Sequence, residues 1–529
     1  MTAALTGLKP LLKATLKQDR KNIAPWVVLI SVLSASSIWA WRWIFPELPD
    51  RRAFAVAVGA NPAMELIFGP ARNLLTNDGF NAWRAGSLGA FFAGLMGILI
   101  VVRNSRADED SGQAELIASG VVTRQARLLV AVLMGVIAAV ALGVFCFLLT
   151  WVSGGEVAPT AVISASFACS ALLFAAVTAV AAQLGSDART ASTLSIGALG
   201  FFFVLRGYLD SSDAADWTLW LTPLGWLEKT LPAVENRWWP LLPVVALAVV
   251  LVGSALVLQN RRDFGLGMIV PRPGPASAPR FGLTALTWRL HRAALVTWLC
   301  AFAFLGLVFG NLASSAGDLL ADNPAAQQIL ASGATSPQEL SFAFVATILQ
   351  IGGIIAAIVG AQVVMRMHAE QTAYRIEPLL AGAVRRPRYF ATNVLLALGA
   401  VACCLALEGT VMGWVVSRSD AGFSFGDVLR QALCTIPAVW VLTCIGTAAV
   451  GAKPSKRLVG WLVIVATFGI TLLGPSFKLP EWMLSISPLH HVPLVIAADP
   501  DWGNLAWLAL VACGFLLVGF LGFGRRDVV

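Results

Sequence analysis

Residues 103–127 read RNSRADEDSGQAELIASGVVTRQAR, a long charged segment of alternating sign in the first half of a very apolar chain. Residues 365–389, which begin 262 positions later, read MRMHAEQTAYRIEPLLAGAVRRPRY. Without a gap, this register pairs Asp108 with Glu370, Glu115 with Glu377, Gly120 with Gly382 and Arg124 with Arg386. A polar hairpin that occurs twice between apolar runs predicts two docking points for a protein outside the bilayer.

The composition outside these hairpins is that of a membrane protein. Hydrophobic residues make up 58% of the 529 positions and charged residues only 12%, about half of the charged fraction of a soluble domain. The net charge of +8 therefore concerns membrane topology, and we expect no nucleic-acid partner. Eight cysteines all lie in apolar runs and only four histidines occur, so no metal site is expected.

Twelve apolar runs approach the roughly 20 residues that a membrane-spanning helix needs. They lie at about 25–45, 83–102, 128–152, 158–183, 191–208, 239–260, 293–313, 341–365, 390–416, 430–450, 457–475 and 503–523. The sequence therefore predicts an all-α polytopic membrane protein with about 12 transmembrane helices.

Three short sequences that occur twice indicate that these spans form two repeats. Asn61-Pro62-Ala63 recurs as Asn323-Pro324-Ala325, Pro223-Leu224 as Pro488-Leu489, and Arg261-Arg262-Asp263 as Arg525-Arg526-Asp527. Six spans per half is an even number, so both halves enter the membrane in the same sense and the repeats are parallel. Lys and Arg concentrate in the segments on the N-terminal side of the membrane, which predicts that both termini are cytoplasmic.

The predicted domain order follows the same division. An interfacial helix at 1–22, with leucines and lysines at helical spacing, precedes the first six-span half at 23–262. A Pro/Gly-rich cytoplasmic linker at 263–280, a second interfacial helix at 281–292 and a second six-span half at 293–529 complete the chain.

Within each hairpin, the charged positions suit short helices. Glu115 and Glu377 precede Gly120 and Gly382 by five residues, and we expect these glycines to end helices with a left-handed φ. An ordinary solvated loop explains one such hairpin, whereas two copies in one register favour a docking surface.

Glu408 is the acid that lies well inside a predicted span. Burying it ionised costs about 2.5–3.5 kcal/mol, so it must be protonated, paired or in contact with water. A proton relay through Glu408 is the alternative function, and Gln350 and Gln362 are further candidates for a polar translocation path. No GxxxxGK[ST] motif occurs, so the chain is not expected to hydrolyse ATP by that route.

Two stretches carry a family resemblance: NPAMELIFGPARN at 61–73 and AWRAGSLGAFFAGLMGILIVVRNSRADEDSGQAELIASGVV at 82–122. With the PLGW…RWWPLLP stretch and the closing RRDFG, they resemble permease subunits of ABC-2-type exporters of the actinobacterial polyketide-antibiotic and multidrug group. The likeness covers essentially the whole chain. It implies a fused pseudo-dimer of two exporter halves of the ABC-2, or type V, class.

The resemblance also implies a mechanism and partners. The chain would export lipophilic compounds by alternating access across the plasma membrane, binding no cofactor itself, while two copies of a separate ABC ATPase bind ATP and Mg on the cytoplasmic face. In such families the loop between the second and third spans carries the coupling helix. On this chain, the coupling positions are Arg106, Asp108, Glu109, Glu115, Gly120 and Arg124 in the first half, and Glu370, Glu377, Gly382 and Arg386 in the second.

Overall fold

The computed structural model describes residues 6–59, 65, 67–118, 120, 122–210, 215–263, 265–269, 282–314, 337–382, 384–418, 423–473, 480–497 and 499–526. In this part of the chain the regular structure is helical and contains no strand. The first half contains α1 Leu8–Ile44, α2 Leu48–Gly59, α3 Asn77–Arg103, α4 Arg106–Asp110, α5 Gln113–Ala118, α6 Arg124–Val152, α7 Val157–Leu184, α8 Ala188–Asp210, α9 Pro223–Glu228 and α10 Leu241–Arg261. The second half contains α11 Leu283–Ser314, α12 Pro337–Thr372, α13 Glu377–Ala381, α14 Arg386–Val416, α15 Phe425–Ala452, α16 Val459–Phe468, α17 Glu481–Leu484 and α18 Gly503–Arg525.

Eleven helices among the described residues are long and apolar enough to cross a membrane. The predicted class, an all-α polytopic membrane protein, is thereby confirmed. The span predicted at 457–475 contains α16, which has ten residues and is followed by a five-residue π-helix, Gly469–Leu473, while residues 474 and 475 lie outside the described residues. Gly469 stands where the α-helix ends, and glycine is a poor helix former.

The two predicted interfacial helices are not separate elements. Residues 8–22 continue into the first span as the single helix α1, and residues 283–292 continue into the seventh predicted span as α11. Each predicted interfacial segment is thus the first part of a longer helix, and its location in the membrane interface stays a prediction. Only Pro25 interrupts the helix-forming residues near the first junction, and a proline removes one backbone donor without necessarily ending a helix.

The chain divides into two compact units, Met1–Gly274 and Pro275–Val529. In the first unit, the well-buried α7 packs against α3, α6 and α10. In the second, α15 packs in the same way against α12, α14 and α18. The first span of each unit contacts the third, as α1 with α6 and α11 with α14. The two units therefore repeat one arrangement of helix pairs, whereas the finer domain boundaries stay predictions.

Small residues allow the central helix of the first unit to lie close to its neighbour. A β-carbon at Gly97 of α3 would collide with the carbonyl oxygen of Ala171 in α7. Gly253 of α10 differs, because a β-carbon there would meet no atom within 4 Å. Close approach of this kind is how helices pack in a membrane, where apolar burial from water contributes little.

We therefore expect Gly97→Ala to destabilise the first unit by about 1–3 kcal/mol, because the two helices must move apart. The measurement is the thermal unfolding midpoint of the purified chain in detergent. Gly253→Ala is the matched control and should not lower the midpoint, because the added methyl group meets no atom and alanine favours a helix. Equal midpoints for the two variants would contradict the close α3–α7 contact.

Candidate functional site

The first hairpin, residues 103–127, and the second, residues 366–388, share a backbone turn. In the first, Gly112 has φ +75° and its amide donates to the Glu109 carbonyl oxygen at 3.1 Å. In the second, Tyr374 has φ +56° and its amide donates to the Gln371 carbonyl oxygen at 3.0 Å. Gly112 and Tyr374 are 262 positions apart, so the turn lies at the same place in the ungapped register.

The left-handed residue does not stand where the sequence placed it. Gly382 has φ −88°, and Gly120 is not among the left-handed glycines of the described residues. The expectation for these two glycines is therefore wrong. The turn precedes α5 and α13 instead of following them, because the chain reverses between the end of the span and the short helix. Tyr374 adopts a conformation that costs a non-glycine residue roughly 1–2 kcal/mol.

The predicted coupling residues divide into an outer and an inner set. The exposed residues are Glu115, Gly120, Arg124, Glu377, Gly382 and Arg386. Asp108, Glu109 and Glu370 are partly buried, and only 1% of Arg106 is exposed. The outer set is thus available to a partner, whereas Arg106 acts inside its own unit.

The inner set of the first hairpin is a charged network. Glu109 accepts from Arg106 Nη1 at 2.8 Å and from Arg262 Nη2 at 2.8 Å. Arg262 Nη1 also lies 3.2 Å from the Glu109 carboxylate, and Arg262 Nε donates to Gln183 at 2.6 Å. Arg106 donates to the carbonyl oxygens of Ala182 and Leu266 at 2.5 and 3.1 Å. One carboxylate thus joins the hairpin to the residue that follows α10.

The second hairpin makes the corresponding contact without a carboxylate. Arg526 follows α18 as Arg262 follows α10, and its Nη2 donates to Gln371 Oε1 at 2.8 Å. Gln371 stands at the register position of Glu109, and His368 at that of Arg106. Burial lowers the pKa of Arg526. Glu370 instead lies 3.7 and 3.6 Å from Arg366 and Arg375.

The space beside each hairpin also differs. In the first unit, the hairpin and α1 border a cavity of about 320 Å³ with mainly polar and charged walls, including Asp19, Arg103 and Gln259. Asp19 binds Arg103 Nε at 3.0 Å, which joins α1 to the end of α3. In the second unit, the corresponding cavity measures about 30 Å³ and is lined by leucines of α11, Ile376 and Leu379 together with charged residues such as Arg366 and Glu370.

The path candidates are placed in the second unit. Glu408 is fully buried in α14, and a β-carbon at Gly352 of α12 would collide with its carboxyl group. Neither carboxyl oxygen has a hydrogen-bond partner among the described residues. Gln350 donates to the Leu489 carbonyl oxygen at 3.3 Å, and Gln362 accepts from Trp298 at 2.9 Å. Among the described residues, no hydrogen bond joins these three side chains to one another.

Sequence reasoning missed the roles of Arg262 and Arg526. The repeated Arg-Arg-Asp tripeptide is visible in the sequence, where by itself it indicates only the repeat. Its second arginine contacts the hairpin in both units. The contact joins residues more than 150 positions apart, which no local pattern can indicate.

Comparison with known proteins identifies two matches. The family model for the multidrug efflux system permease Rv1217c, C-terminal domain, matches residues 52–258 and 282–524. The chain is 35% identical over 539 residues to the multidrug efflux system permease protein Rv1217c of Mycobacterium tuberculosis (strain ATCC 25618 / H37Rv). That alignment covers 99% of this chain and 96% of the relative.

The shared turn yields a prediction for the first hairpin. Gly112→Ala should destabilise it by about 1 kcal/mol, because a β-carbon disfavours the left-handed conformation. Hydrogen–deuterium exchange of the hairpin amides should then be about fivefold faster. Gly382→Ala is the control, since Gly382 has a negative φ and no atom lies closer than 3.6 Å to its β-position. Equal exchange in the two variants would show that the turn is not strained.

Proposed function

Because the chain belongs to the family of the multidrug efflux system permease Rv1217c, we propose that it is the membrane-spanning permease subunit of an ATP-driven exporter. It expels lipophilic compounds by alternating access. Two copies of a separate ABC ATPase subunit bind its cytoplasmic face and hold the ATP and Mg. The chain itself is a transport subunit and carries no ATPase site. This proposal includes the finer assignment to the ABC-2-type group, for which the stretches at 61–73 and 82–122 are the support.

One observation carries the proposal. Each unit has a polar hairpin between its second and third spans, with the same turn at the same register position, and each exposes a glutamate, Glu115 or Glu377. Residues exposed in this way on both copies suit a partner that is itself present twice, because a symmetric pair offers two equivalent surfaces.

The membrane orientation belongs to the same proposal. Both hairpins follow an even number of spans from the N-terminus, two and eight, so they reach the same side of the membrane. The concentration of Lys and Arg on that side supports a cytoplasmic location for the hairpins and for both termini. The bilayer is then the plasma membrane, and the substrate leaves the cell.

The alternative function, a secondary transporter driven by protons through Glu408, has weaker support. A relay needs a second group that receives the proton. Among the described residues, no Lys, Arg or His lies within 4.0 Å of Glu408 as an ion-pair partner. The close contact with Gly352 leaves little room for water on that side. A protonated side chain with a packing role accounts for Glu408.

The docking proposal predicts the outcome of a pull-down from native membranes in mild detergent. The tagged chain should retain an ATPase subunit at about two copies per permease. Glu115→Arg combined with Glu377→Arg should release it, because reversed charges disfavour the contact. Glu156→Arg combined with Glu481→Arg, two reversals on the opposite side of the membrane, is the control. A chain that comes out alone and still transports would refute the ATPase partnership.

The alternative is tested separately with Glu408→Gln. This variant keeps the shape of the side chain and removes its proton, so ATP-driven transport into inverted vesicles should stay within about twofold of the unmodified chain. Glu408→Ala should instead lower the thermal unfolding midpoint, because it leaves a buried cavity. Loss of transport in Glu408→Gln, with the folded chain present, would favour proton coupling.

A further inference from the structure

The residue that follows the last helix of each unit contacts the hairpin of the same unit. Arg262 binds Glu109, and Arg526 binds Gln371, each at 2.8 Å. Both arginines have extended backbone, with ψ 152° in each case. The two contacts therefore lie at equivalent places in the two units, and their acceptor groups differ. The first acceptor is a carboxylate and the second is an amide.

This difference changes the strength of the contact. Glu109 accepts two hydrogen bonds from Arg262 and one from Arg106, and the side chains of Arg262 and Arg106 are only 7% and 1% exposed. Charge-assisted hydrogen bonds are roughly twice as strong as neutral ones. In the second unit, Gln371 accepts one hydrogen bond from Arg526, and its Nε2 has no hydrogen-bond partner among the described residues.

The residues and cavities beside the two hairpins also differ. The first hairpin is joined to α1 by the Asp19–Arg103 ion pair and borders the cavity of about 320 Å³, which is lined mainly by polar and charged residues. The second hairpin leaves only about 30 Å³ beside α11, where Ile376 and Leu379 join the apolar core. Among the described side chains, charge links the first hairpin to the end of α10, and Ile376 and Leu379 add apolar contacts between the second hairpin and α11.

We infer that Glu109 and Arg262 are positioning residues that couple the first hairpin to the last helix of its unit, and that the Gln371–Arg526 contact couples the second hairpin more weakly. The two halves then transmit movement from the ATPase unequally. This inference rests on the proposed function for its transport consequence. The unequal anchoring itself is a property of the chain alone.

Hydrogen–deuterium exchange of the full-length chain in lipid nanodiscs tests the anchoring without any ATPase. Glu109→Gln and Arg262→Gln should each speed exchange in residues 103–127 by about tenfold and leave residues 366–388 unchanged. Arg526→Gln should change exchange in residues 366–388 by less than about twofold, since the apolar contacts remain. Glu156→Gln, which removes an exposed carboxylate at the start of α7, should alter neither hairpin. Unchanged exchange in Glu109→Gln would overturn the inference.

A variant that strengthens a contact provides a second test, because its result cannot be explained by a failure to fold. Gln371→Glu places a carboxylate opposite Arg526, and exchange in residues 366–388 should slow by about threefold. If the added charge leaves that rate unchanged or faster, the amide is not the reason for the weaker contact.

A transport measurement distinguishes a positioning role of Glu109 from a role in binding the ATPase. In the complex, Glu109→Gln should keep the amount of co-purified ATPase unchanged and lower substrate transported per ATP hydrolysed by about fivefold. Arg262→Lys, which keeps one donor to Glu109, should recover part of that ratio. Loss of the ATPase from Glu109→Gln would instead make Glu109 a docking residue and overturn the inference. Absence of the ATPase from the unmodified chain would contradict the proposed function, and the exchange results would still decide the anchoring.

Discussion

A hydrocarbon layer offers no hydrogen-bonding partner to a polypeptide backbone, so each segment that crosses it must satisfy its own amide and carbonyl groups. This constraint explains why the described spans are helices and why charge collects at their ends. It also explains the importance of the hairpins, since 103–127 and 366–388 are long polar segments in a chain with only 12% charged residues. A charge near the membrane boundary must find a partner or reach water. The inner hairpin residues have partners within the chain, and the outer hairpin residues reach water.

The repeat follows from the same constraint, combined with close packing. Helices in lipid gain little from excluding water, so they associate where small residues let their backbones approach. Gly97 against Ala171 in the first unit and Gly409 against Ala432 in the second are such places. The specific glycine contacts differ between the units, whereas the pairs of helices that meet are the same. The arrangement of helices is thus kept by several different close contacts.

The sequence predicted features that depend on composition or local spacing, and it failed where distant residues decide. Apolar length indicated the spans, and the ungapped register of the hairpins predicted equivalent segments, which Gly112 and Tyr374 confirm in the backbone. The interfacial segments differ from the spans in polarity, but a change of polarity does not break a helix, and each continues into the span that follows. Arg106 was expected to contribute to a coupling surface. Its burial depends on Ala182 and Leu266, which lie far along the chain.

A similar difference, a charged contact in the first unit and a neutral contact in the second, occurs at the opposite ends of the helices. In the first unit, the buried Arg206 binds Asp210 and Ser87, each at 2.9 Å. The register set by Pro223 and Pro488 places Thr471 at the corresponding position of the second unit, where it shares a neutral hydrogen bond of 2.8 Å with Ser487. A buried ion pair adds little net stability but penalises any arrangement that separates its charges. The first unit is therefore restricted to fewer arrangements at both ends. If the units exchange between conformations, the second can change its end contacts at lower cost, because the Thr471–Ser487 contact between described residues carries no charge to separate.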